Sequence, residues 1–240
     1  MPLLEVENLV AGYGKLAIIQ GLSLKIEPGD FGTLVGPNGS GKSTLIKSIA
    51  GLTNIFEGRI TFDGRDITRH RPEEIASMKL GYVPQISNVF TDLTVRENLE
   101  MGGTTVKRAS DKEKLLKRVT DLFPLLASRE SQRAGHLSGG ERQMLAIGRA
   151  LMAEPKLLIL DEPTAALAPI VAAQLFQKLT EIRTQLNVTI LLVEQNARKA
   201  LSLANLGFVL IQGKKAFEGT PEQILKDTEI IRLFLGELTV

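Results

Sequence analysis

The 240-residue sequence has no cysteine, so neither a disulfide framework nor thiolate chemistry is open to it. Long apolar runs are missing as well. Stretches such as Leu157 to Leu160 and Ile190 to Val193 fall far short of the roughly 18–20 residues that cross a bilayer, which leaves any membrane role to a partner. The start, Met1-Pro2-Leu3-Leu4-Glu5, lacks the charged and apolar blocks of a secretory signal, so the cytosol is the expected compartment. Nor does one sign of charge dominate. With 29 Lys plus Arg against 27 Asp plus Glu, the net charge of +2 gives no electrostatic case for a nucleic-acid partner. Basic clusters at Arg69-His70-Arg71 and Lys107-Arg108 read as solvated faces. No repeat or low-complexity linker interrupts the chain, and 43% apolar residues are enough for one globular domain with a sizeable core and room for a smaller subdomain.

What is present begins with a β-rich stretch. Leu4–Val6 and Leu9, then alternating Leu22, Leu24 and Ile26, a Pro28-Gly29-Asp30 turn, and Phe31 to Val35 all carry strand signals. From Gly41 to Ala50 the period becomes helical, with Leu45, Ile46 and Ile49 on one face and Gly51 as a C-terminal stop. Short strands are expected at 58–62 and 80–83, a mostly helical stretch at 86–136, then helix 141–153, strand 157–161, helix 170–186, strand 188–193 and helix 195–204. Such alternation argues for a parallel sheet. A hairpin around Gln212-Gly213 and one or two short helices over 221–235 complete the reading.

Three segments carry chemistry. Gly36-Pro37-Asn38-Gly39-Ser40-Gly41-Lys42-Ser43 has the spacing of a phosphate-binding P-loop, placed between a strand and a helix. Its glycines let backbone N–H groups wrap a phosphate at the positive end of the following helix. Lys42 is expected to reach the β and γ phosphates and Ser43 to ligate Mg²⁺. Leu157-Leu158-Ile159-Leu160-Asp161-Glu162 is too continuously apolar for a half-exposed strand and ends in two carboxylates at the carboxyl end of a parallel strand, a Walker B pattern. In that reading Asp161 holds Mg²⁺ and Glu162 polarises the attacking water as general base. Leu137-Ser138-Gly139-Gly140-Glu141-Arg142-Gln143 opens a helix with an apolar stripe at Met144, Leu145, Gly148, Leu151 and Met152, and forms a second helix start suited to an anion. Two such starts, only one with Lys and Walker acids, are explained if the second serves a nucleotide held by another copy, so that two subunits enclose two ATPs head to tail.

In order and spacing these motifs resemble the nucleotide-binding domains of ABC transporters over essentially the whole chain, with LSGGERQ as the family signature. The resemblance implies an α/β P-loop NTPase with a mostly parallel core sheet, an N-terminal antiparallel β region and a helical subdomain, the core being 1–85 and 137–240 and the helical part 86–136. It implies ATP and Mg²⁺ as cofactors. Gly36 to Thr44 would line the ATP site, Thr44 included, and Leu137 to Gln143 would contact ATP in trans, through Leu137, Ser138, Gly139, Gly140, Glu141 and Gln143. Tyr13 resembles the aromatic that stacks on adenine. Gln85 in Gly81-Tyr82-Val83-Pro84-Gln85 is similar to the Q-loop glutamine that touches Mg²⁺ or its water and links the site to the helical subdomain. Two positions depart from the family. Gln195 stands at the switch histidine and cannot become cationic, the only histidines being His70 and His136. Ala168 stands where the D-loop usually has Asp.

Val193-Glu194-Gln195-Asn196-Ala197, Leu167-Ala168-Pro169 and Phe234-Leu235-Gly236-Glu237 look like the F-type ATP-binding subunits of the Liv branched-chain amino-acid importers, whose relatives serve neutral amino acids or urea. This implies a peripheral subunit on the cytoplasmic face of the plasma membrane. Its expected partners are a second ATP-binding subunit, identical or a G-type Liv ATPase, integral permease subunits and, indirectly, a solute-binding protein. The segment Asp92 to Leu99 would face the permease, with Phe90 exposed to it, and Thr94 and Glu97 are expected to form a capping box there. The sequence ends soon after Gly236-Glu237, which is read as leaving no room for an added regulatory domain.

Overall fold

The computed structural model describes residues 1–86, 88–104, 106 and 108–227. Two compact units divide the chain. One holds Met1–Met78 and the residues from Thr189 onward, and the other Lys79–Val188.

The first unit opens with β1 (Leu4–Tyr13) and β2 (Leu16–Ile26), then β3 (Phe31–Val35), α1 (Lys42–Ile49), β4 (Asn54–Phe62), β5 (Arg65–Asp66) and a short α2 (Pro72–Ser77). β1 pairs antiparallel with β2 on one side and β4 on the other, and β5 adds to β4. The ladder slips near Asn8, which has φ +47 and whose N–H turns to Ser23 Oγ at 2.8 Å, the local break of a bulge. β3 belongs to a different sheet because all five of its residues are buried, the mark of a strand covered on both faces. Its partners come from the far end of the sequence: β8 (Thr189–Val193) and β9 (Leu206–Ile211), both parallel to it, one on each side. Between them lies α8 (Ala197–Leu201), and β10 (Lys214–Gly219) returns antiparallel on β9 before α9 (Pro221–Lys226). Val35, Ala197, Leu201, Val209 and Ile224 form one buried cluster with Phe217 and Leu225 against it, which is how α8 and α9 fasten onto this sheet.

The second unit is built on β6 (Leu80–Val83) and β7 (Leu157–Asp161), paired parallel from Leu80↔Leu157 to Val83↔Leu160. The connection between them is helical: α3 (Val95–Gly102), α4 (Ala109–Leu122), α5 (Pro124–Ser128), a 3₁₀ turn at Ala134–His136 and α6 (Gly139–Leu151), with α7 (Pro169–Leu186) after β7. Gly148 on α6 is where the helices converge. A Cβ there would lie 3.0–3.3 Å from Val119, Leu99 and Leu126, one side chain from each of α4, α3 and α5.

The chain is therefore the expected mixed α/β fold, with parallel strands, an N-terminal antiparallel sheet and a helical block. Some bounds differ from the sequence reading. Helix 195–204 is confined to Ala197–Leu201, β4 starts at Asn54, and β5 and α2 were not anticipated. α2 is six residues long, too short to show a helical period, and is set by Pro72 at its first turn and by Glu74 Oε2 accepting from Arg71 N–H at 2.8 Å. Of the expected helices over 221–235, α9 covers the first six residues. Residues 228–235, Phe234 to Glu237 and Lys107 lie outside the described residues. Among the described residues no helix is long and apolar enough to cross a membrane.

Candidate functional site

The loop from Gly36 to Gly41 leaves the carboxyl end of β3 and enters α1. Its path depends on glycine: a Cβ on Gly36 would lie 2.3 Å from Leu210 O and 2.8 Å from Ser40 Oγ. Gly41 takes φ +101 at the helix start, where α1 has no side-chain cap and no acidic residue in its first turn. A helix start without a carboxylate of its own is open to an external anion. Lys42, only 4% exposed, folds its ammonium back over the loop, donating to Gly36 O at 2.8 Å and Pro37 O at 3.0 Å. Ser40 is 3% exposed, and its Oγ has no hydrogen-bond partner. Buried hydroxyls are normally paired, so an orphan Oγ inside a loop of this shape fits a phosphate oxygen as the missing acceptor.

A second support for the loop was not foreseen. The β9–β10 hairpin turns through Gln212 (φ +48) and Gly213 (φ +79), the two positive φ values that a tight hairpin needs. Gly213 N–H donates to Ser40 O at 2.9 Å, and Gly213 O accepts from Gln20 N–H at 2.9 Å. A Cβ on Gly213 would meet Ile18 O at 1.9 Å, so the turn is wedged between β2 and the phosphate loop. In the same unit Tyr13 ends β1 with 43% of its surface exposed, as an aromatic platform for a base requires. Pro37, Asn38 and Gly39 are exposed, Ser43 is half-buried, Thr44 is buried within α1, and Gln195 is exposed just beyond β8.

In the second unit, Asp161 is the last residue of β7 and Glu162 follows it, both buried. Glu162 has φ +46, a left-handed conformation that a glutamate adopts at a cost and that collects at functional sites. Gln85 Nε2 donates to Glu162 Oε2 at 3.1 Å, and Tyr82 Oη approaches Asp161 Oδ2 at 3.5 Å. The structure thus brings Gln85 and Glu162 together, two residues 77 positions apart. Tyr82 beside Asp161 was not singled out from sequence, although the period-2 spacing of β6 puts it one residue from the parallel partner of Leu160.

The signature segment makes its own arrangement. Ser138 caps α6: its Oγ accepts from Glu141 N–H at 3.3 Å, while Glu141 Oε2 accepts from Ser138 N–H at 2.8 Å. Arg129 Nη2 lies 3.2 Å from Glu141 Oε1, and Arg142 Nη1 donates to Leu137 O at 2.6 Å. Gly140 is buried where a Cβ would meet Val171 Cγ1 at 2.4 Å, so its lack of a side chain admits α7. Gln143 points inward and meets Asn88. Farther along, α3 is capped as expected, with Thr94 accepting from Glu97 N–H and the Glu97 carboxylate receiving Thr94 N–H at 2.7 Å. Those bonds hold the Glu97 carboxyl below its ordinary pKa. Phe90 is 48% exposed, under the guanidinium of Arg149 at 4.9 Å from its centroid. Burial holds that guanidinium below its usual pKa.

Asp161 and the Ser43 hydroxyl are hard oxygen donors, the kind that suit Mg²⁺. Among the described residues no group of three or more His, Cys, Asp or Glu could hold a metal ion. A Mg²⁺ site made of one or two protein oxygens and substrate phosphates does not need such a group.

Residues 19–165 match the ABC transporter family model. The chain is 41% identical to a probable branched-chain amino acid transport ATP-binding protein from Archaeoglobus fulgidus, covering 98% of this chain and 99% of that one. It is 40% identical to a high-affinity branched-chain amino acid transport ATP-binding protein from Pseudomonas aeruginosa, covering 98% and 100%. Its fold matches the crystal structure of an ATP-binding cassette of an ABC transporter in the ADP conformation, with a TM-score of 0.86 at 30% identity over 99% and 100% of the two chains. With a nucleotide-binding loop, a strained acidic strand end and a capped signature helix in place, the chain belongs to the ABC transporter family, as one of its nucleotide-binding, ATP-hydrolysing subunits.

Proposed function

We propose that this subunit powers the import of branched-chain or other neutral amino acids. The observation that carries this reading is end-to-end similarity at 41% and 40% identity to two proteins named for branched-chain amino acid transport. ATP is the substrate. Its phosphates take the N–H groups and Ser40 Oγ of the loop, and the Lys42 ammonium exchanges two carbonyl acceptors for β- and γ-phosphate oxygens. Tyr13 supports the base. Ser43, Asp161 and Gln85 are the proposed Mg²⁺ contacts, directly or through water, and the ion, when bound, would neutralise phosphate charge. Glu162 is the base: its carboxylate, oriented by the Gln85 amide, takes the proton of the attacking water. Gln195 donates a hydrogen bond to the γ-phosphate where a histidine would carry a charge.

Leu137 to Gly140, with Glu141 holding the helix start, are proposed to face the nucleotide of a second ATP-binding subunit, identical or of the G-type; Gln143, expected to join them, is instead buried with its side chain turned to Asn88. Permease subunits dock near Phe90 and Ile86, which is 75% exposed, and so hold the protein at the cytoplasmic face of the membrane. A solute-binding protein acts through them.

Reconstitution with the copurified membrane subunits and solute-binding protein tests the cargo. ATP turnover is expected to rise on adding leucine, isoleucine or valine and to stay at its basal level with urea or sulfate. Stimulation by another solute class in place of these would overturn the amino-acid reading and leave the ATPase standing. The base assignment is tested separately: Glu162→Gln is expected to keep ATP binding and slow turnover by about 10²–10⁴-fold, and wild-type turnover in that variant would reassign the base.

A further inference from the structure

Behind Gln85 two amide side chains meet inside the second unit. Asn88 is 8% exposed and Gln143 5%, and Asn88 Nδ2 donates to Gln143 Oε1 at 2.5 Å. The other half of the Gln143 amide, Nε2, is buried without a partner. A half-satisfied buried amide is a net cost that an apolar side chain of the same size would avoid, so packing alone does not account for it.

The places of the two residues do. Asn88 lies three positions beyond Gln85, whose amide donates to Glu162. Gln143 is the fifth residue of α6, the helix that begins after Ser138. The segment leaving β6 is thus fastened at one end by the β6–β7 ladder and at the other by Asn88 to α6. Just past it, Phe90 is pinned by Asn98, whose Oδ1 accepts from Phe90 N–H at 2.8 Å and whose Nδ2 donates to Phe90 O at 2.9 Å. Asn98 holds the chain to α3. Asn88 alone ties the stretch nearest Gln85 to α6 through a side chain among these bonds.

We propose that Asn88 and Gln143 are positioning residues for ATP hydrolysis. Their bond sets the loop so that the Gln85 amide holds the Glu162 carboxylate in its working orientation, and it makes that orientation depend on where α6 stands. A shift of α6 at its Ser138 end is felt at Asn88, three positions from Gln85, through one hydrogen bond. The inference rests on the reading of Glu162 as the base.

The test uses the full chain with MgATP, reading kcat, KM, affinity for a fluorescent ATP analogue, and melting temperature. Asn88→Leu and Gln143→Leu each remove the bond while filling the space, and each is expected to lower kcat about tenfold with KM and analogue affinity unchanged. Because both act through one contact, the double variant is expected to fall no further than either single variant. Asn88→Asp offers an acceptor to Gln143 Nε2, the group that lacks one, and is expected to keep kcat within about threefold of the wild type. Wild-type kcat in both leucine variants, effects that multiply in the double variant, or losses confined to KM and melting temperature would overturn the proposal. If a leucine variant does not fold, Asn88→Ser, too short to reach Gln143 Oε1, takes its place, and wild-type kcat there overturns it equally. Glu162→Gln, measured alongside, separates the two readings. Turnover that survives this change removes the base assignment. Turnover lost there but intact in the Asn88 and Gln143 variants removes only the positioning role.

Discussion

Two helix starts in this molecule look alike in sequence and differ in charge. α1 follows Ser40-Gly41 and α6 follows Ser138 with Gly139-Gly140 behind it, so both read as glycine-rich seats for an anion. α1 enters through a left-handed glycine with neither a side-chain cap nor an acid in its first turn. α6 carries its own carboxylate: Glu141 closes a capping box with Ser138 and is in turn neutralised by Arg129. A helix N-terminus holds roughly half a positive charge, and of these two starts α1 is the one at which none of it is offset by an acidic side chain of the same turn. α1 is therefore the start left open to an external anion, as the proposed phosphate seat requires. α6 is a capped start whose Ser138 hydroxyl accepts from Glu141 N–H and keeps its own proton to donate. The two starts, expected to differ in having Lys and Walker acids, differ also in how their own first turns are capped.

The widest break in this comparison is Lys42→Ala. With the cation gone from the α1 start, turnover is expected to fall by about 10²–10³-fold. Thermal stabilisation by MgATP, about 2.7 kcal/mol at a hundredfold excess over Kd, should vanish at the same nucleotide concentration. Thermal-shift and steady-state assays check both, and retained stabilisation would mean that the loop backbone binds phosphate without the lysine. Gly213→Ala comes next. It leaves every loop residue in place and drives a methyl group toward Ile18 O while straining a φ of +79. A loss of about 1–3 kcal/mol in urea unfolding is expected, together with weaker ATP binding because Ser40 O loses its brace. Unaltered ATP affinity in a destabilised variant would show that the loop holds its shape unaided. On the other side, Glu141→Ala removes the charge that distinguishes α6. The expected effect is a loss of about 0.5–2 kcal/mol of stability with no change in ATP affinity of the isolated chain, read by the same two assays.

Much of this was legible beforehand for a local reason. The phosphate loop, the acidic end of β7 and the Ser138 cap are each set by a few consecutive residues, and β7 and β8 announce themselves by four-residue apolar runs because both of their faces are buried. What escaped was contact across sequence distance. Nothing in Gln212-Gly213 beyond a hairpin turn indicates that its N–H would hold Ser40 O, since the two follow strands far apart in sequence, β9 and β3, that meet only on folding. Asn88 and Gln143 escaped likewise, for a polar residue in a loop and another on a helix face carry no sign of being buried together. The positive φ of Glu162 is a third case: strain of this kind opposes local propensity and is imposed by the surroundings.

Ala168 offers the finest test, because it is a helix start of a third kind. α7 begins after it with no side-chain cap bond and with Pro169 in its first turn. The backbone of Ala168, at φ −59 and ψ 145, is extended in the way an N-cap residue needs, and alanine has no oxygen to offer the free N–H groups. Ala168→Asp restores the residue usual in the family and is expected to add about 0.5–2 kcal/mol, or roughly 1–8 °C in melting temperature for a chain of this size. Turnover of the isolated chain should stay within about twofold. A variant that melts higher at constant turnover would assign the missing carboxylate to the stability of α7. A variant that turns over faster without melting higher would place it in the contact between subunits, and the comparison of helix starts would then concern assembly as much as charge.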